Sequence, residues 1–423
     1  MRRLYTLLFS LALPLVLLRL YWRGLKVPQY RQRWRERLGF YPQAATQQVI
    51  WIHAVSVGEA EAAFPLIRHW QQQYPQHTLL VTTTTPTGSA RVKAVLADSV
   101  LHVYLPYDLP WIVRRFLSHF RPLLAVFMEK ELWPNLFAAC GQRQIPLYVI
   151  NARLSARSAS AYQKIPALVK PTLAHITRIA AQTADDAKHF VAIGAAPEQV
   201  TVLGNLKFDL TVDAALIAAG RALKQQQFAQ RFVWMIASTH QGEEELLLQH
   251  YPALKAQIPE LLVMIAPRHP ERFRTVQLSC EKQGLTVVKR SERSPVDAAC
   301  DVYLADSMGE LKMLYAAADV AFVGGSLVGV GGHNVLEPAA VGVPVLFGPQ
   351  MFNFQQIAEQ MLAMQAAWQC DDAEAVAEAL LNLYQTPATA EQLVANAQRF
   401  LAANQGAMQR ISALLVQGLA GGN

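Results

Sequence analysis

The sequence predicts an α/β protein with two doubly wound domains, each built on a parallel sheet. Short apolar strands alternate with helical segments along most of the chain, and this alternation is typical of parallel sheets covered by helices on both faces. With 423 residues, the chain is long enough for two domains of ordinary size. A glycine-rich stretch at residues 321–349 reads as a strand, a loop, a short helix and a second strand. Ligands of such sheets bind beyond the carboxyl ends of the strands.

The first residues of the chain are predicted to form a membrane anchor at 1–22. Leu4 to Leu18 is apolar apart from Thr6 and Ser10, but fifteen residues are short for a spanning helix, which needs about 20. A cleaved signal peptide is the competing interpretation, and no small-residue cleavage site follows the run. Arginines are more numerous after the run than before it, so the positive-inside rule places the body of the protein in the cytoplasm.

A basic amphipathic segment at 23–40 follows the anchor. Tyr30, Trp34 and Leu38 recur every four residues with arginines between them. This spacing predicts a helix suited to an anionic membrane surface. The alternative is a solvated helix packed on the next domain.

Charge and cysteine content exclude several classes of protein. Residues 1–37 hold nine Lys or Arg and a single acid, so the rest of the chain holds 29 bases and 30 acids despite the overall charge of +7. A nearly neutral body argues against a general nucleic-acid-binding surface. The four cysteines are far apart in the sequence, which disfavours a disulfide framework or a zinc site and favours a reducing cytoplasm.

Two motifs follow predicted strands in the N-terminal half. HAVSVGE, residues 53–59, places Glu59 at the start of a helix. Its carboxylate either complements the helix dipole or acts as a general base. MEKELWPN, residues 128–135, places Glu129 directly after an apolar strand and Glu131 two residues later. One of these acids is alternatively a cap or an ion-pair partner of Lys130.

The C-terminal half places candidate ligand-binding residues at strand ends. Asn334 is predicted to cap a short helix, with Glu337 three residues later as in a capping box. Glu337 is either that capping partner or a carboxylate that holds two ribose hydroxyls. Arg268 follows another strand, and its guanidinium can bind phosphate through two N–H groups. Neither a P-loop motif nor H-E-x-x-H occurs, and Glu243–Glu245 is better explained as the first turn of a helix than as a metal site.

The chain resembles the 3-deoxy-D-manno-octulosonic acid (Kdo) transferases of lipopolysaccharide synthesis. Glu337–Pro338, followed by Gly342, Pro344 and an apolar strand, is similar to the nucleotide half of GT-B glycosyltransferases. The family's second motif usually reads METELWPN, and Lys130 stands here in place of the Thr. The blocks that carry the resemblance follow the family's order over nearly the whole chain: HAVSVGE, MEKELWPN, NARLS (151–155), GNLKFD (204–209), ASTHQGEEE (237–245), APRHPERF (266–273), DSMGEL (306–311) and GGHNVLEPAA (331–340).

The resemblance implies a GT-B fold, in which two doubly wound domains face a cleft, with an N-terminal membrane anchor helix. The expected activity is inverting transfer of Kdo from CMP-Kdo to a lipid A precursor at the cytoplasmic side of the inner membrane. The expected boundaries are an acceptor-binding domain at 41–208, a linker at 209–224, a CMP-sugar-binding domain at 225–384, and helices at 385–423 that cross back toward the first domain.

The resemblance also implies roles for particular residues. Glu59 is expected to be the general base, while Glu129 and Lys207 stabilise the transition state. From the residues alone, Lys207 is equally an ordinary solvated lysine. No cofactor or metal is expected, since cations and amides can stabilise the leaving nucleotide. The expected partners are CMP-Kdo, a lipid A precursor and an anionic membrane, with no nucleic acid. The residues expected to hold CMP are Pro267, Arg268, Met308, Gly309, Glu310, Asn334, Val335, Leu336 and Glu337.

Two rival hypotheses remain at this point. The first is a GT-B transferase for another nucleotide sugar, or a sugar-nucleotide epimerase of similar architecture. The second is an anchored scaffold that keeps a degenerate site. The presence of Glu59, Lys207, Arg268 and Glu337 together argues against the scaffold.

Overall fold

The computed structural model describes residues 1–42, 48–210 and 212–420, which divide into two units. Unit 1 comprises Met1–Asp209 and Gln405–Asn423, and unit 2 comprises Leu210–Asn404. Outside the described residues lie 43–47 of the expected N-terminal domain, 211 of the expected linker and 421–423 of the expected C-terminal helices.

Unit 1 is built on a seven-stranded parallel sheet with the order β3-β2-β1-β4-β5-β6-β7. Its strands are β1 (Ile50–His53), β2 (Leu79–Thr83), β3 (Leu101–Tyr104), β4 (Leu124–Met128), β5 (Leu147–Ala152), β6 (Arg178–Ala181) and β7 (Val200–Val202). The central strands are buried along their whole length, as expected of a parallel sheet covered on both faces. The predicted parallel sheet is confirmed.

Helices cover both faces of this sheet. One face holds a core around Trp51, Phe116 and Phe127, and the other holds a core around Trp70 and Ile411. The helices of unit 1 are α1 (Arg2–Lys26), α2 (Val57–Gln73), α3 (Pro86–Leu96), α4 (Pro110–Phe120), α5 (Pro134–Gln142), α6 (Ala156–Gln163), α7 (Pro166–Leu173) and α8 (Ala184–Ala192), together with the last helix of the chain, α18 (Ala407–Ala420).

Unit 2 repeats the architecture with the strand order β10-β11-β9-β8-β12-β13-β14, all parallel. Its strands are β8 (Phe232–Thr239), β9 (Leu261–Pro267), β10 (Val287–Lys289), β11 (Val302–Leu304), β12 (Val320–Val323), β13 (Val345–Phe347) and β14 (Trp368–Gln369). Its helices are α9 (Ala214–Leu223), α10 (Glu243–Leu248), α11 (Tyr251–Gln257), α12 (Phe273–Lys282), α13 (Leu311–Tyr315), α14 (Leu336–Ala340), α15 (Gln355–Ala363), α16 (Ala373–Gln385) and α17 (Pro387–Asn404). The prediction of a second doubly wound domain is confirmed.

The expected linker at 209–224 needs correction. Ala214–Leu223 forms α9, and this helix packs on α13 within unit 2. Gly220 allows the close approach, because a Cβ there would lie 2.1 Å from the carbonyl oxygen of Met313. The chain passes from unit 1 to unit 2 between Asp209 and Leu210.

The C-terminal helices also divide differently from the expected 385–423 segment. Helix α17 remains in unit 2, and only the chain from Gln405 onward belongs to unit 1. Asp209 joins the two chain segments that form unit 1. Its carboxylate accepts hydrogen bonds of 2.5 Å from the N–H groups of Gly406 and Met408. The Trp70 indole then donates to Ser412 at 2.9 Å, which fixes α18 against α2.

The basic segment after α1 is not the single amphipathic helix expected at 23–40. It consists of two short 3-10 helices, Pro28–Arg31 and Trp34–Leu38, separated by Arg33 in the left-handed region with φ of +56°. A left-handed residue interrupts helical hydrogen bonding, so Tyr30, Trp34 and Leu38 do not share one helical face. Two of its charged residues, Glu36 and Arg37, are buried against unit 1.

Candidate active site

The topological switch of the unit 1 sheet lies between β1 and β4. From central β1 the chain runs outward through β2 and β3, and then returns to the opposite side of β1 to form β4. Loops at such a switch separate and leave a crevice beyond the strand ends. Glu59 lies in the first turn of α2 after β1, and Glu129 follows β4 directly. Both predicted acids therefore lie at the crevice.

Glu59 is largely buried and held by one backbone contact. Its Oε2 accepts a hydrogen bond of 2.6 Å from the N–H of Val55, within its own loop. The pKa of Glu59 is raised to about 8, chiefly by burial and in smaller part by the negative charges of Glu129 and Glu131, against the opposing effect of the Val55 hydrogen bond. A carboxyl that ionises near neutral pH is suited to accepting a proton from a substrate hydroxyl.

Glu129 has a strained backbone. Its φ is +60°, in the left-handed region that non-glycine residues rarely adopt. The strain is maintained by the hydrogen bond of 3.0 Å from its N–H to the carbonyl of Ile150 on β5. Strained residues of this kind concentrate at functional sites. The neighbouring Glu131 has its pKa raised, chiefly by burial, so three acids share this loop region.

Lys207 comes to the same region from a different loop. Asn151 also has a positive φ, of +50°, and its Oδ1 accepts a hydrogen bond of 3.0 Å from the N–H of Leu206. The side chain of Asn205 accepts from the Lys207 N–H at 2.9 Å. Burial lowers the pKa of the Lys207 amine, while the charge of Glu129 raises it. The structure thus places Glu129 within electrostatic reach of both Glu59 and Lys207.

Unit 2 has its own switch between β8 and β12, and there Glu243 joins two loops. The Glu243 carboxylate accepts hydrogen bonds from the backbone N–H groups of Gly325 (2.6 Å), Ser326 (3.0 Å) and Leu327 (3.1 Å) in the glycine-rich loop after β12. It also accepts one of 2.9 Å from the N–H of His240 in the loop after β8. Burial raises its pKa against the effect of these bonds.

Two histidines meet above this junction. The Nε2 atoms of His240 and His333 are 2.9 Å apart, and their rings stack at 5.1 Å. Burial lowers the pKa of His333 to about 4, and the charge of Arg268 contributes to the shift. The pKa of His240 is also lowered, chiefly by burial. At neutral pH the pair is therefore uncharged, with one Nε2 as donor and the other as acceptor.

Arg268, predicted to bind phosphate, lies at the end of β9 beside this junction. Its N–H donates to the carbonyl of Thr239 at 3.1 Å, and its side chain is exposed. Pro267 is the last residue of β9 and is buried. Pro267 therefore shapes the strand end, while Arg268 extends its guanidinium into solvent where an anion can reach it.

The 308–310 segment follows β11 and is held by an ion pair. Glu310 accepts two hydrogen bonds from the Arg290 guanidinium, at 2.8 and 2.7 Å, and another from Ser307. Those bonds lower the pKa of Glu310. Gly309 has φ of +86° with open space beside it. Because its carboxylate is already engaged, Glu310 offers a ligand its backbone rather than its side chain.

Asn334 and Glu337 lie at the start of α14. The Asn334 Oδ1 accepts a hydrogen bond of 3.1 Å from the N–H of Leu336, and its Nδ2 donates to Glu337 Oε1 at 3.5 Å. Val335 and Leu336 are fully buried in the core. Only their backbone atoms are available to a ligand, so of the four predicted residues Asn334 and Glu337 supply the side-chain chemistry.

Several residues of both loop regions were missed from the sequence. Asn151, Glu243 and Arg290 hold the predicted residues in place, and His240 and His333 occupy the centre of the unit 2 junction. Glu243 and the histidines lie inside motifs that the sequence already singled out, which is the available signal. Nothing local distinguishes Arg290, because its partner is 20 residues away. Within 1–42, 48–210 and 212–420, no group of three His, Cys, Asp or Glu is placed to hold a metal ion.

Comparison with known proteins identifies relatives across the whole length. A family model described as 3-deoxy-D-manno-octulosonic-acid transferase (kdotransferase) matches residues 32–210, and one described as glycosyl transferases group 1 matches residues 239–400. A 3-deoxy-D-manno-octulosonic acid transferase of Haemophilus influenzae is 43% identical over 420 residues, which cover 98% of each chain. The enzyme of that name from Bordetella pertussis is 35% identical over 383 residues, or 88% of each chain.

A solved UDP-GlcNAc 2-epimerase from Neisseria meningitidis has the same fold. It superposes with a TM-score of 0.55 over 88% of this chain and 100% of its own, at 17% identity. That likeness confirms the predicted GT-B-type architecture and does not extend to activity, so the epimerase alternative loses its support. Identity of 43% over nearly the full chain instead decides the family. The chain belongs to the 3-deoxy-D-manno-octulosonic acid transferases and is a glycosyltransferase.

Proposed function

We propose that this chain transfers Kdo from CMP-Kdo to a hydroxyl group of a lipid A precursor, with inversion at the anomeric carbon. The observation that carries the proposal is Glu59, a largely buried carboxyl with a pKa of about 8 at the topological switch of unit 1. Glu59 accepts the proton as the acceptor oxygen attacks the anomeric carbon. The bond from that carbon to the phosphate oxygen breaks, and CMP leaves with the electron pair.

Lys207 and Glu129 set the electrostatic field around this reaction. Lys207 is a largely buried cation whose charge interacts with Glu129. A fixed positive charge in a poorly solvated site stabilises developing negative charge more strongly than it does in water. Glu129 keeps Lys207 protonated and, by its own negative charge, raises the proton affinity of Glu59.

The residues of unit 2 are proposed to hold CMP. Arg268 binds the phosphate, backbone groups of Met308–Glu310 bind the base, and Glu337 binds the ribose hydroxyls. The Arg290–Glu310 ion pair and the Glu243 hydrogen bonds fix the loops that carry these groups. Transfer needs no metal ion in this proposal, since Arg268 and Lys207 supply positive charge, and excess EDTA should leave the rate unchanged.

The proposal places the enzyme at the cytoplasmic face of the inner membrane. Helix α1 has 25 residues and contains an 18-residue stretch with a mean hydropathy of 1.8, so its length and composition suit a membrane anchor. Basic residues follow it closely, and these are attracted to anionic lipids on the cytoplasmic side.

Mass spectrometry of the acceptor tests the proposal. Lipid A precursor incubated with CMP-Kdo and the purified protein should gain the mass of one or more Kdo residues, whereas the same reaction with Glu59→Gln should give little product. Titration with CMP, UDP and GDP should show a preference for CMP. Absence of product with CMP-Kdo, together with turnover of a different nucleotide sugar, would overturn the assignment of the donor.

A further inference from the structure

The outer face of α1 is an exposed apolar stripe. Six leucines, spaced three, four or seven residues apart along the helix, have side chains that are 45–69% exposed. A continuous apolar surface of this length is rare on a protein surrounded only by water, and it indicates contact with a lipid or protein partner. The apolar stripe consists of Leu4, Leu8, Leu11, Leu15, Leu18 and Leu25.

The opposite face of α1 rests on unit 1 near both ends of the helix. Near the start, the Thr6 hydroxyl donates a hydrogen bond of 3.1 Å to the Oδ1 of Asn135 on α5, and the Phe9 ring lies 6.2 Å from that of Tyr107. Near the end, Gly24 is buried against the side chain of Arg31. Residues between these points on the same face are partly covered.

The segment that covers Gly24 is itself fixed to unit 1. The Arg33 guanidinium donates to the carbonyl of His102 on β3 at 2.6 Å, and that of Arg37 donates to the carbonyl of Thr84 at 2.8 Å. The carbonyl of Arg37 accepts a hydrogen bond of 2.8 Å from the N–H of Tyr107. Tyr107 therefore touches both the beginning of α1, through Phe9, and the segment that follows its end.

This arrangement is incompatible with a helix that crosses a bilayer. At 1.5 Å per residue, Thr6 and Gly24 are about 27 Å apart, close to the roughly 30 Å of the hydrocarbon layer. A crossing helix would place them on opposite sides of the membrane, yet both contact the same folded unit. We propose that α1 lies in the plane of the membrane surface, with its apolar stripe in one leaflet, and that a cavity beside its first turn binds the phosphate of an anionic phospholipid.

The cavity has a volume of about 470 Å³ and is lined by four arginines, Arg2 and Arg3 of α1, Arg114 of α4 and Arg143 just after α5. Its lining contains no acid. Within the described ranges of the chain, none of the four arginines forms an ion pair, although Arg143 donates to the hydroxyl of Ser118 at 3.0 Å. Four guanidinium groups without carboxylate partners around one space form a site for a phosphate group.

The neighbouring acid does not neutralise this charge directly. Asp108 feels the charge of Arg2, but its carboxylate is occupied by the N–H groups of Asn135 (3.0 Å) and Leu136 (2.7 Å) and by the Tyr5 hydroxyl. Burial raises the pKa of Asp108 to about 6, which further reduces its negative charge in mildly acidic solution. The positive potential of the cavity therefore persists.

Charge and aromatic residues around the stripe favour a phospholipid leaflet over a protein partner. Cations stand at both ends of α1, with Arg23 and Lys26 in its last turn. Exposed Trp22 lies near one end of the stripe, and Trp111 lies on α4 close to the cavity at the other. Cations and tryptophan at both ends of an apolar surface match the headgroup zone above an acyl layer.

Accessibility of the two helix ends to a thiol reagent tests the in-plane position. The four native cysteines are buried, so Arg3→Cys and Lys26→Cys each introduce one reactive thiol. The full-length protein is added to preformed vesicles of phosphatidylcholine and phosphatidylglycerol and treated with a membrane-impermeant maleimide. Both variants should be labelled equally before and after detergent. If one of the two variants were labelled only after detergent is added, the helix would cross the bilayer and the proposal would be overturned.

Paired charge variants test the cavity. Arg114→Gln/Arg143→Gln should lower partition onto phosphatidylglycerol-containing vesicles about tenfold or more, with little effect on pure phosphatidylcholine vesicles. Arg68→Gln/Arg121→Gln removes the same charge from exposed positions outside the cavity and should change partition less than threefold. Native mass spectrometry from neutral detergent should show bound phosphatidylglycerol in the wild type and in the control variant, but not in the cavity variant. Equal partition of the two double variants, or lipid retention by the cavity variant, would overturn the site.

Discussion

The carboxylate of Glu243 accepts a hydrogen bond of 2.6 Å from the backbone N–H of Gly325, and this bond joins the loops that follow β8 and β12 in unit 2. Glu243 is fully buried. Three further N–H groups donate to the same carboxylate. This one side chain therefore accepts the hydrogen bonds that water would otherwise accept from a turn of the glycine-rich loop. The loop keeps a defined shape despite its glycines, because its N–H groups have a fixed acceptor.

Replacing Glu243 should therefore destabilise unit 2. Glu243→Ala leaves four N–H groups without their acceptor, two of them fully buried, and each buried unsatisfied group costs about 1–3 kcal/mol. We expect the free energy of unfolding to fall by roughly 3 kcal/mol or more, measured by denaturant titration. Glu245→Ala is the matched control, since Glu245 is exposed in the same helical turn and should change stability by less than about 0.5 kcal/mol. Equal effects of the two variants would contradict the role given to Glu243.

The fold was largely predictable from the sequence because parallel strands are buried on both faces. The apolar strand expected after Gly342 and Pro344 is β13, and all three of its residues are buried. Two of the four edge strands, β7 and β14, were not predicted. Two of the three residues of β7 are exposed, and β14 has two residues in all. An edge strand gains its stability from its neighbour rather than from its own apolar pattern, so local sequence carries little signal.

The site was predictable where a motif carries its own geometry and not where it depends on distant contacts. Glu129 follows β4 directly, and Glu59 lies in the first turn of the helix after β1, so the predicted strand ends located both residues. Asn151 is different, because its left-handed backbone and its bond to Leu206 arise only when β5 and a loop 55 residues later meet. The contact between Thr6 of α1 and Asn135 of α5 was missed for a similar reason, since hydropathy does not reveal it.

The last helix should be essential to unit 1, although it follows the whole of unit 2 in the sequence. Ile411 is fully buried in the core that contains Trp70. Ile411→Ala should lower the free energy of unfolding of unit 1 by about 2–5 kcal/mol, the usual cost of a large-to-small change in a core. Gln417→Ala on the exposed side of α18 should be nearly neutral. If Ile411→Ala left stability unchanged, α18 would not be part of this core.

Replacing Glu337 distinguishes a role in binding CMP from a role in stabilising the helix start. Glu337→Ala should weaken CMP binding by roughly 1.5–3 kcal/mol if the carboxylate accepts hydrogen bonds from ribose hydroxyls. If it serves only the helix start with Asn334, the variant should instead lose about 1 kcal/mol of stability and bind CMP normally. Titration calorimetry and a melting curve on the same preparation distinguish these results. Glu359→Ala, on exposed α15, is the control for loss of a negative charge.

The proposed chemistry depends on Glu59 as the general base. Glu59→Gln keeps the shape of the side chain and removes the proton acceptor, so transfer should fall by about 10²–10⁴, the usual share of a general base. CMP binding should persist, since its proposed site lies in unit 2. The wild-type rate should rise with pH until Glu59 ionises near its pKa of about 8, and this rise should be absent in Glu59→Gln. Glu129→Gln is the control, because it should impair transfer while keeping a pH-dependent rise.

Stability provides an independent check on the same pKa. A carboxyl whose pKa is raised from 4.5 to about 8 on folding favours the folded state when protonated. That contribution is fully present below pH 4.5 and is lost as the pH rises toward 8. The melting temperature of the wild type should therefore fall relative to that of Glu59→Gln between pH 5 and about pH 8. Parallel curves for the two proteins would show that the pKa of Glu59 is not raised on folding. Near-normal turnover by Glu59→Gln beside an inactive Glu129→Gln would show that Glu129 rather than Glu59 is the base.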